Sequence, residues 1–243
     1  MSIIKDTLRE VLIFLHLDLT KNLKYDRLTK KILKKYLKKE YNCIDIGCHK
    51  GEILELMMHF SSEGKHYAFE PIPYLCKELK NKYKDKANIF QCALADVNGE
   101  TTFQLVKNAP AYSGIKRRKY DIDNPQIEEI VVEEKRLDDV IPADKKIHFI
   151  KIDVEGGEFG VLKGAENILK TNKPVVLFEC GKGASEYYGT KPADLYNFIK
   201  GIGLNIYTLQ AFVSNKKPLT CEEFEKCFDT NAEYYFVAAA LNA

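Results

Sequence analysis

The run YNCIDIGCHKG at residues 41–51 constrains this chain more than any other. A short apolar strand ends in an acid, Asp45, and a turn holding Gly47 and Gly51 then opens a helix. α/β proteins receive the charged end of a nucleotide-like cofactor in this way. Gly47 lets the backbone approach a ligand that a Cβ would strike, and Gly51 lets the helix begin tight against the strand. The acid at the strand end separates this turn from a phosphate loop, because it repels phosphate and attracts a cation. Twenty-five residues after Asp45, the segment KHYAFE at 65–70 ends in a second acid, Glu70. A carboxylate there can accept both hydroxyls of a ribose. The two acids together suit an adenosine with a cationic amino-acid tail, which is S-adenosyl-L-methionine. A dinucleotide fits less well: its fingerprint is G-x-G-x-x-G, whereas the spacing here is G-x-x-x-G and His49 would crowd a pyrophosphate. Glycines after a strand are also ordinary turn residues, and an Asp there can simply cap a helix.

Length and composition bound the rest. A chain of 243 residues with 45% apolar content is enough for one large α/β domain with a small appendage. The net charge of +2 does not announce a nucleic-acid binder. Residues 1–40, however, hold eleven Lys or Arg against five Asp or Glu. The division expected is a helical cap over 1–40 and a catalytic domain over 41–243. Between 25 and 39, Tyr25, Leu28, Ile32, Leu33, Tyr36 and Leu37 follow helical spacing with lysines on the other face. Such a helix can rest peripherally on an anionic membrane, or its charged face can merely be solvated. The apolar run 11–15, extended by Leu17 and Leu19, is too short to span a bilayer and reads as a buried helix face. Seven scattered cysteines without a C-x-x-C pair indicate neither a disulfide framework nor a zinc site, and point to a reducing, cytoplasmic setting.

Beyond the cap, strands and helices alternate. Strands are expected at 42–46, 66–70, 88–93, 147–153, 175–179, 205–209 and 234–240, with helices at 50–60, 74–84 and 158–169 and another starting at Pro192. The segment 101–137 breaks the alternation with two β-like runs, 101–106 and 129–133, around a polar stretch expected to be a mobile loop near the active site. The pattern predicts a doubly wound sheet with ligands at the carboxyl ends of its strands.

The fourth strand of the alternation runs into KIDVEGGEFGVLKG at 151–164, where Asp153, Glu155 and Glu158 crowd one turn. Like charges so close need a compensating sulfonium, metal ion, amino group or helix N-terminus. Glu155 and Glu158 can alternatively just complement the dipole of the helix that follows.

This run resembles the hallmark of the FkbM family of S-adenosylmethionine-dependent methyltransferases. KRLDDV at 135–140, IDIGCHKG at 44–51, FEP at 69–71 and ALADVNG at 93–99 followed by Thr102 and Phe103 resemble the family in the same order. The similarity covers about residues 42–210 and leaves out the cap. Cys48 and His49 stand where Ala and Asn are more usual in the family. The resemblance implies a class I methyltransferase fold, Rossmann-like, with a seven-stranded sheet whose last strand is antiparallel, and O-methylation of a hydroxyl. It further implies that Asp45, Gly47 and Gly51 hold the methionine end of the cofactor, Glu70 grips the ribose, and Ala93, Leu94 and Asp96 frame the adenine. Asp153 would border the methionine moiety and the reaction centre.

Methyl transfer needs alignment and removal of a hydroxyl proton. The candidate bases are Asp153, Glu155, Glu158 and Glu179, with Glu155 and Glu158 preferred because they follow the sheet edge. No metal ligands are assigned, although the same acids can hold a divalent cation. His49 and His148 are weaker candidates, His148 reading as a core residue. The loop 108–119 offers Tyr112 and Ser113 to the acceptor, and its run 116–119 can meet an anion or be solvated. The expected acceptor is a small molecule or glycan and not a nucleic acid, since charge is near neutral and no N-P-P-Y-like tetrapeptide follows the fourth strand. A nucleic-acid methyltransferase and a non-catalytic cofactor- or partner-binding module are the alternatives.

Overall fold

The computed structural model describes residues 20–240. The apolar run 11–15 and the first half of the expected cap lie outside the described residues. Ten strands follow one another among them: β1 (Cys43–Ile46), β2 (His66–Phe69), β3 (Asn88–Phe90), β4 (Ala93–Leu94), β5 (Gly99–Val106), β6 (Ile127–Lys135), β7 (Phe149–Ile152), β8 (Val175–Glu179), β9 (Asn205–Thr208) and β10 (Tyr235–Ala239). The helices are α1 (Lys21–Tyr36), α2 (Glu52–Phe60), α3 (Pro73–Tyr83), α4 (Leu137–Val140), α5 (Glu158–Gly164), α6 (Glu166–Asn172), α7 (Pro192–Gly201), α8 (Leu209–Val213) and α9 (Cys221–Thr230).

Seven strands form the main sheet in the order β3-β2-β1-β7-β8-β10-β9. β10 runs antiparallel to both neighbours, and the other pairings are parallel. The expected doubly wound sheet with an antiparallel last strand is therefore what forms. Because side chains alternate between the faces of a strand, each strand feeds two cores. Ile44, Ile46, Ile150, Ile152, Val176, Phe178 and Phe236 join one cluster, together with α5, α6, α7 and α9 residues. Cys43, Phe149, Val175, Leu177, Tyr235 and Val237 join the other, which the buried stripe Tyr25, Leu28, Ile32 and Leu33 of α1 covers. By the same period of two, Asp45, Lys151, Asp153 and Glu179 emerge on the α1 side at the carboxyl ends of their strands. Register brings them together: Asp45 sits opposite Lys151, and Tyr235 opposite Glu179.

α1 begins at Thr20, whose hydroxyl caps the amide of Leu23. Its hold on the sheet rests on the apolar stripe. Leu33, with 0% exposure, is the test: Leu33→Ala should cost about 2–5 kcal/mol by urea unfolding, and a cost below about 1 kcal/mol would mean that α1 is not packed as described.

Four sequence expectations are corrected. The strand expected at 88–93 divides, because the chain leaves the main sheet after Phe90 and Ala93–Leu94 pair with the end of β6 in a second sheet of order β4-β6-β5. The helix expected at 158–169 breaks at Ala165, which leaves helical geometry. Asp138 takes the free amides of Asn167 (2.9 Å) and Ile168 (3.0 Å), so α6 has its own capped start. The stretch 107–126 is not a free loop. A 3-10 turn at Pro110–Tyr112 and a bridge between Gln104 and Gly114 fold it back on β5, and the hydroxyls of Tyr187 and Tyr188 accept the amides of Lys119 and Lys116. Finally, α8 and α9 were not expected at all. No helix among the described residues is long and apolar enough to cross a membrane.

Candidate active site

The loop after β1 is anchored by its own backbone. The amides of Gly47 and Cys48 donate to the carbonyl of Phe69 (3.0 and 3.2 Å), and that of His49 to Glu70 Oε2 (2.8 Å). Gly47 has φ +69°, and a Cβ there would lie 1.9 Å from the carbonyl oxygen of Asp153. Its glycine is thus required by the neighbouring strand exit as well as by any ligand. Gly51 (φ +78°) faces the side chains of Leu79 and Tyr83, which a Cβ would meet at 2.8 Å. It borders neither cavity of the site, so its part is to seat α2 against α3.

A cavity of about 300 Å³ opens beside this loop. Gly47, Glu70, Ala93, Leu94, Asp96 and Asp153 line it, as does Glu155, with Thr101, Phe103, Ser113 and Tyr188 on the facing wall. Glu70 is buried, with one oxygen on the amide of His49 and the other on that of Ile72 (3.0 Å). Burial nevertheless pushes its carboxyl up to about 7, the two amides opposing this. His49 Nε2 is buried without a hydrogen-bond partner, and its imidazole is held below its usual value, chiefly by burial. An adenosine ribose would give Glu70 two hydroxyl donors. The cavity stands at the small end of the ~300–1,000 Å³ of ligand pockets. The residues present therefore fit the cofactor. Asp96 lines the cavity while its carboxylate also pairs with Lys163.

Ribose binding should favour the ionised form of Glu70. Cofactor affinity is then expected to rise with pH up to about 7, by up to about tenfold per unit, and to level off above. For the cofactor-free protein the sign is opposite: with the folded carboxyl raised above its unfolded value, this group's contribution to stability is lost as pH rises toward 7. Titration calorimetry across pH 5–8 checks the first expectation, and a pH-independent affinity would refute it.

A second cavity, of about 690 Å³, lies under α1. Asn22, Tyr25 and Thr29 of α1 form one wall, Tyr234 and Tyr235 another, and Asp45, Lys151, Asp153, Glu155 and Glu179 the floor. The two cavities share Gly47, His49, Ala111, Asp153 and Glu155. Asp45 is fully buried with neither oxygen hydrogen-bonded, and burial raises its carboxyl while Lys151 opposes the rise. Lys151 Nζ lies 3.4 Å from Asp45 and 3.5 Å from Asp153, and it donates to the carbonyl of Gly47 at 2.9 Å. Sequence reasoning missed this lysine, though a cation inside the apolar strand FIKI was the available signal.

Of the four candidate bases, Glu179 lies on the floor of the second cavity and the other three separate. Glu155 stands where the cavities meet, at φ +59°, in an ion pair with Arg118. That backbone region costs a non-glycine residue about 1–3 kcal/mol. Burial and the charge of Asp153 push its carboxyl up, with Arg118 pulling it down. Glu158 is buried, borders neither cavity, and accepts the amides of Val154 (3.0 Å) and Gly156 (3.2 Å) through Oε1. Its carboxyl is pushed up to about 7, first by burial. Asp153 faces both cavities. Of the run 116–119, Arg118 meets Glu155 instead of an external anion. Ser113 Oγ accepts the amide of Val106 (2.9 Å), and Tyr112 stacks under Arg118, bordering neither cavity. His148 is half-buried and outside the core expected for it, but its ring is engaged: it stacks on Tyr41, and Nδ1 accepts the amide of Asn42.

The sheet order, with a cavity at the carboxyl ends of β1, β2 and β7, is that of the class I methyltransferase fold. The Methyltransferase FkbM domain matches residues 45–203, and the chain belongs to the FkbM methyltransferase family. By that membership it is an S-adenosylmethionine-dependent methyltransferase. Among solved structures, a methyltransferase FkbM from Methylobacillus flagellatus superposes with a TM-score of 0.50 at 17% identity, over 84% of this chain and 44% of that one. The chain thus spans under half of that protein's length. A putative rRNA methylase from Clostridium thermocellum gives 0.47 at 9% identity, over 86% of this chain and 90% of that one. Aeropyrum pernix fibrillarin, solved with natively bound S-adenosyl-L-methionine, gives 0.44 at 12% identity, over 88% and 74%. No curated protein matches.

Proposed function

We propose that the chain is an O-methyltransferase that acts on a hydroxyl of a small molecule or glycan. One observation carries this reading: a nucleoside-sized cavity and a larger one meet at Asp153 and Glu155. Gly47, Glu70, Ala93, Leu94, Asp96 and Asp153 hold the cofactor, and Asp45 supports the methionine end through Lys151. S-adenosylmethionine held there would supply the methyl group to the acceptor oxygen, its sulfur keeping the electron pair of the broken carbon–sulfur bond. The hydroxyl proton passes to Glu155. Asp153 orients the acceptor beside it, and Glu158 braces the turn that carries both. Holding acceptor oxygen and methyl in line contributes up to about 7–11 kcal/mol.

The acidic floor of the second cavity disfavours a phosphate backbone, which supports a small-molecule or glycan acceptor over a nucleic acid. Its tyrosines suit the faces of a sugar ring. On this reading the described part of the expected cap, residues 20–40, closes the acceptor cavity and 41–243 carry the chemistry. Exposed Lys31, Lys34, Lys38 and Lys39 are consistent with a peripheral contact with an anionic membrane from the cytoplasmic side. A screen of hydroxylated sugars, phenols and RNA with a labelled methyl donor tests the reading. Transfer to a hydroxyl acceptor supports it, and transfer only to RNA would replace it.

A further inference from the structure

We infer that Asp153, Glu158 and Glu179 form a binding site for a divalent cation beneath the floor of the second cavity, onto which Asp153 and Glu179 open. One carboxylate oxygen from each residue lies within 4.8 Å of the others. The three acids come from the ends of β7 and β8 and from the first turn of α5, so the backbone fixes their convergence. A second observation points to a ligand. Glu158 has 1% exposure, its Oε1 is used by two backbone amides, and its Oε2 has no partner. A buried carboxylate oxygen left so is costly.

The nearby cations do not meet this need. Lys151 is committed to Gly47, Asp45 and one oxygen of Asp153, and Arg118 to Glu155. Among the described residues neither Glu158 nor Glu179 has an ion-pair partner. Burial and the surrounding negative charge raise the carboxyls of both, as expected of acids waiting for a cation or a proton. An all-oxygen donor set selects a hard ion such as Mg²⁺, Mn²⁺ or Ca²⁺. Asp153 and Glu179 open onto the 690 Å³ cavity, so the ion has a route in and positions left for other oxygens. The inference rests on the O-methyl transfer reading only for its use: an acceptor hydroxyl on the ion would lose its proton to Glu155 more readily.

The test needs no turnover. Chelator-treated full-length protein is titrated with Mn²⁺, and the free ion is followed by its paramagnetic resonance signal. One saturable equivalent, displaced by Mg²⁺, is expected. Glu179→Gln should weaken it by about tenfold or more, as should Glu158→Gln, while Glu128→Gln on the exposed face of β6 leaves it unchanged. Circular dichroism on each variant verifies folding, and if Glu158→Gln misfolds, Glu179→Gln decides. Non-saturable binding, or equal affinity in wild type and Glu179→Gln, overturns the site. Saturable Mn²⁺ binding without methyl transfer to any hydroxyl would keep the site and remove the O-methyl reading. Transfer without Mn²⁺ binding would remove the site alone.

Discussion

Lys151→Met should destabilise the protein by about 3–5 kcal/mol at neutral pH, the cost of leaving a buried partner charge uncompensated. Lys151 has 5% exposure and is shared by Asp45 and Asp153, and its donation to the Gly47 carbonyl also fixes the loop that receives the cofactor. Burial already raises the Asp45 carboxyl, and Lys151 is the main force against that rise. Without the lysine Asp45 would rise further and hold a proton in the folded state. The folded variant then binds more protons than the unfolded chain, so its stability falls as pH rises through that window. The penalty of Lys151→Met should therefore be smaller at pH 5 than at pH 8. Adding Asp45→Asn should recover much of the loss, since replacing both partners removes the desolvated charge. Urea unfolding of the three proteins at both pH values measures this. A loss below about 1 kcal/mol, or no recovery in the double variant, would show that the strand-tip ions are not coupled.

This lysine also shows where reading the sequence stopped. Asp45, Glu70 and Asp153 were legible because each closes an apolar strand in a regular alternation, and their period-two faces follow from the backbone. Which neighbour stands opposite depends on strand order, and a crossover sheet does not declare that order along the chain. Lys151 therefore looked like the start of a motif, although register sets it against Asp45. Gly47 was read through its ligand, but what touches it most closely is the carbonyl of Asp153. Arg118 lay in a charge run whose target, Glu155, is thirty-seven residues away. The division of 158–169 into α5 and α6 was hidden for the same reason, because the capping Asp138 comes from α4. Local periodicity carried the elements. Contacts between distant segments decided which side chains the site contains.

Glu155→Gln should lower kcat by about 10²–10⁴-fold, the range for a lost general base, with cofactor affinity retained. Gln keeps the size of the side chain and the strained backbone, so the change isolates proton transfer. Arg118 gives the second readout. It forms the ion pair that holds the Glu155 carboxyl down against burial and Asp153. In Arg118→Met that carboxyl rises, and the rate, which requires ionised Glu155, should move its rising limb to higher pH. Raising the pH should then restore turnover in Arg118→Met, but not in Glu155→Gln. A merely structural role for the pair would lower the rate of both variants at every pH and leave the limb in place. Glu158→Gln provides the contrast: it keeps an amide oxygen toward Val154 and Gly156 and removes a like charge that raises the Glu155 carboxyl, so the rising limb should persist and move, if at all, to lower pH. If Glu155→Gln turns over normally and Glu158→Gln loses the limb, the proton passes to Glu158 and the order of roles in this turn is reversed.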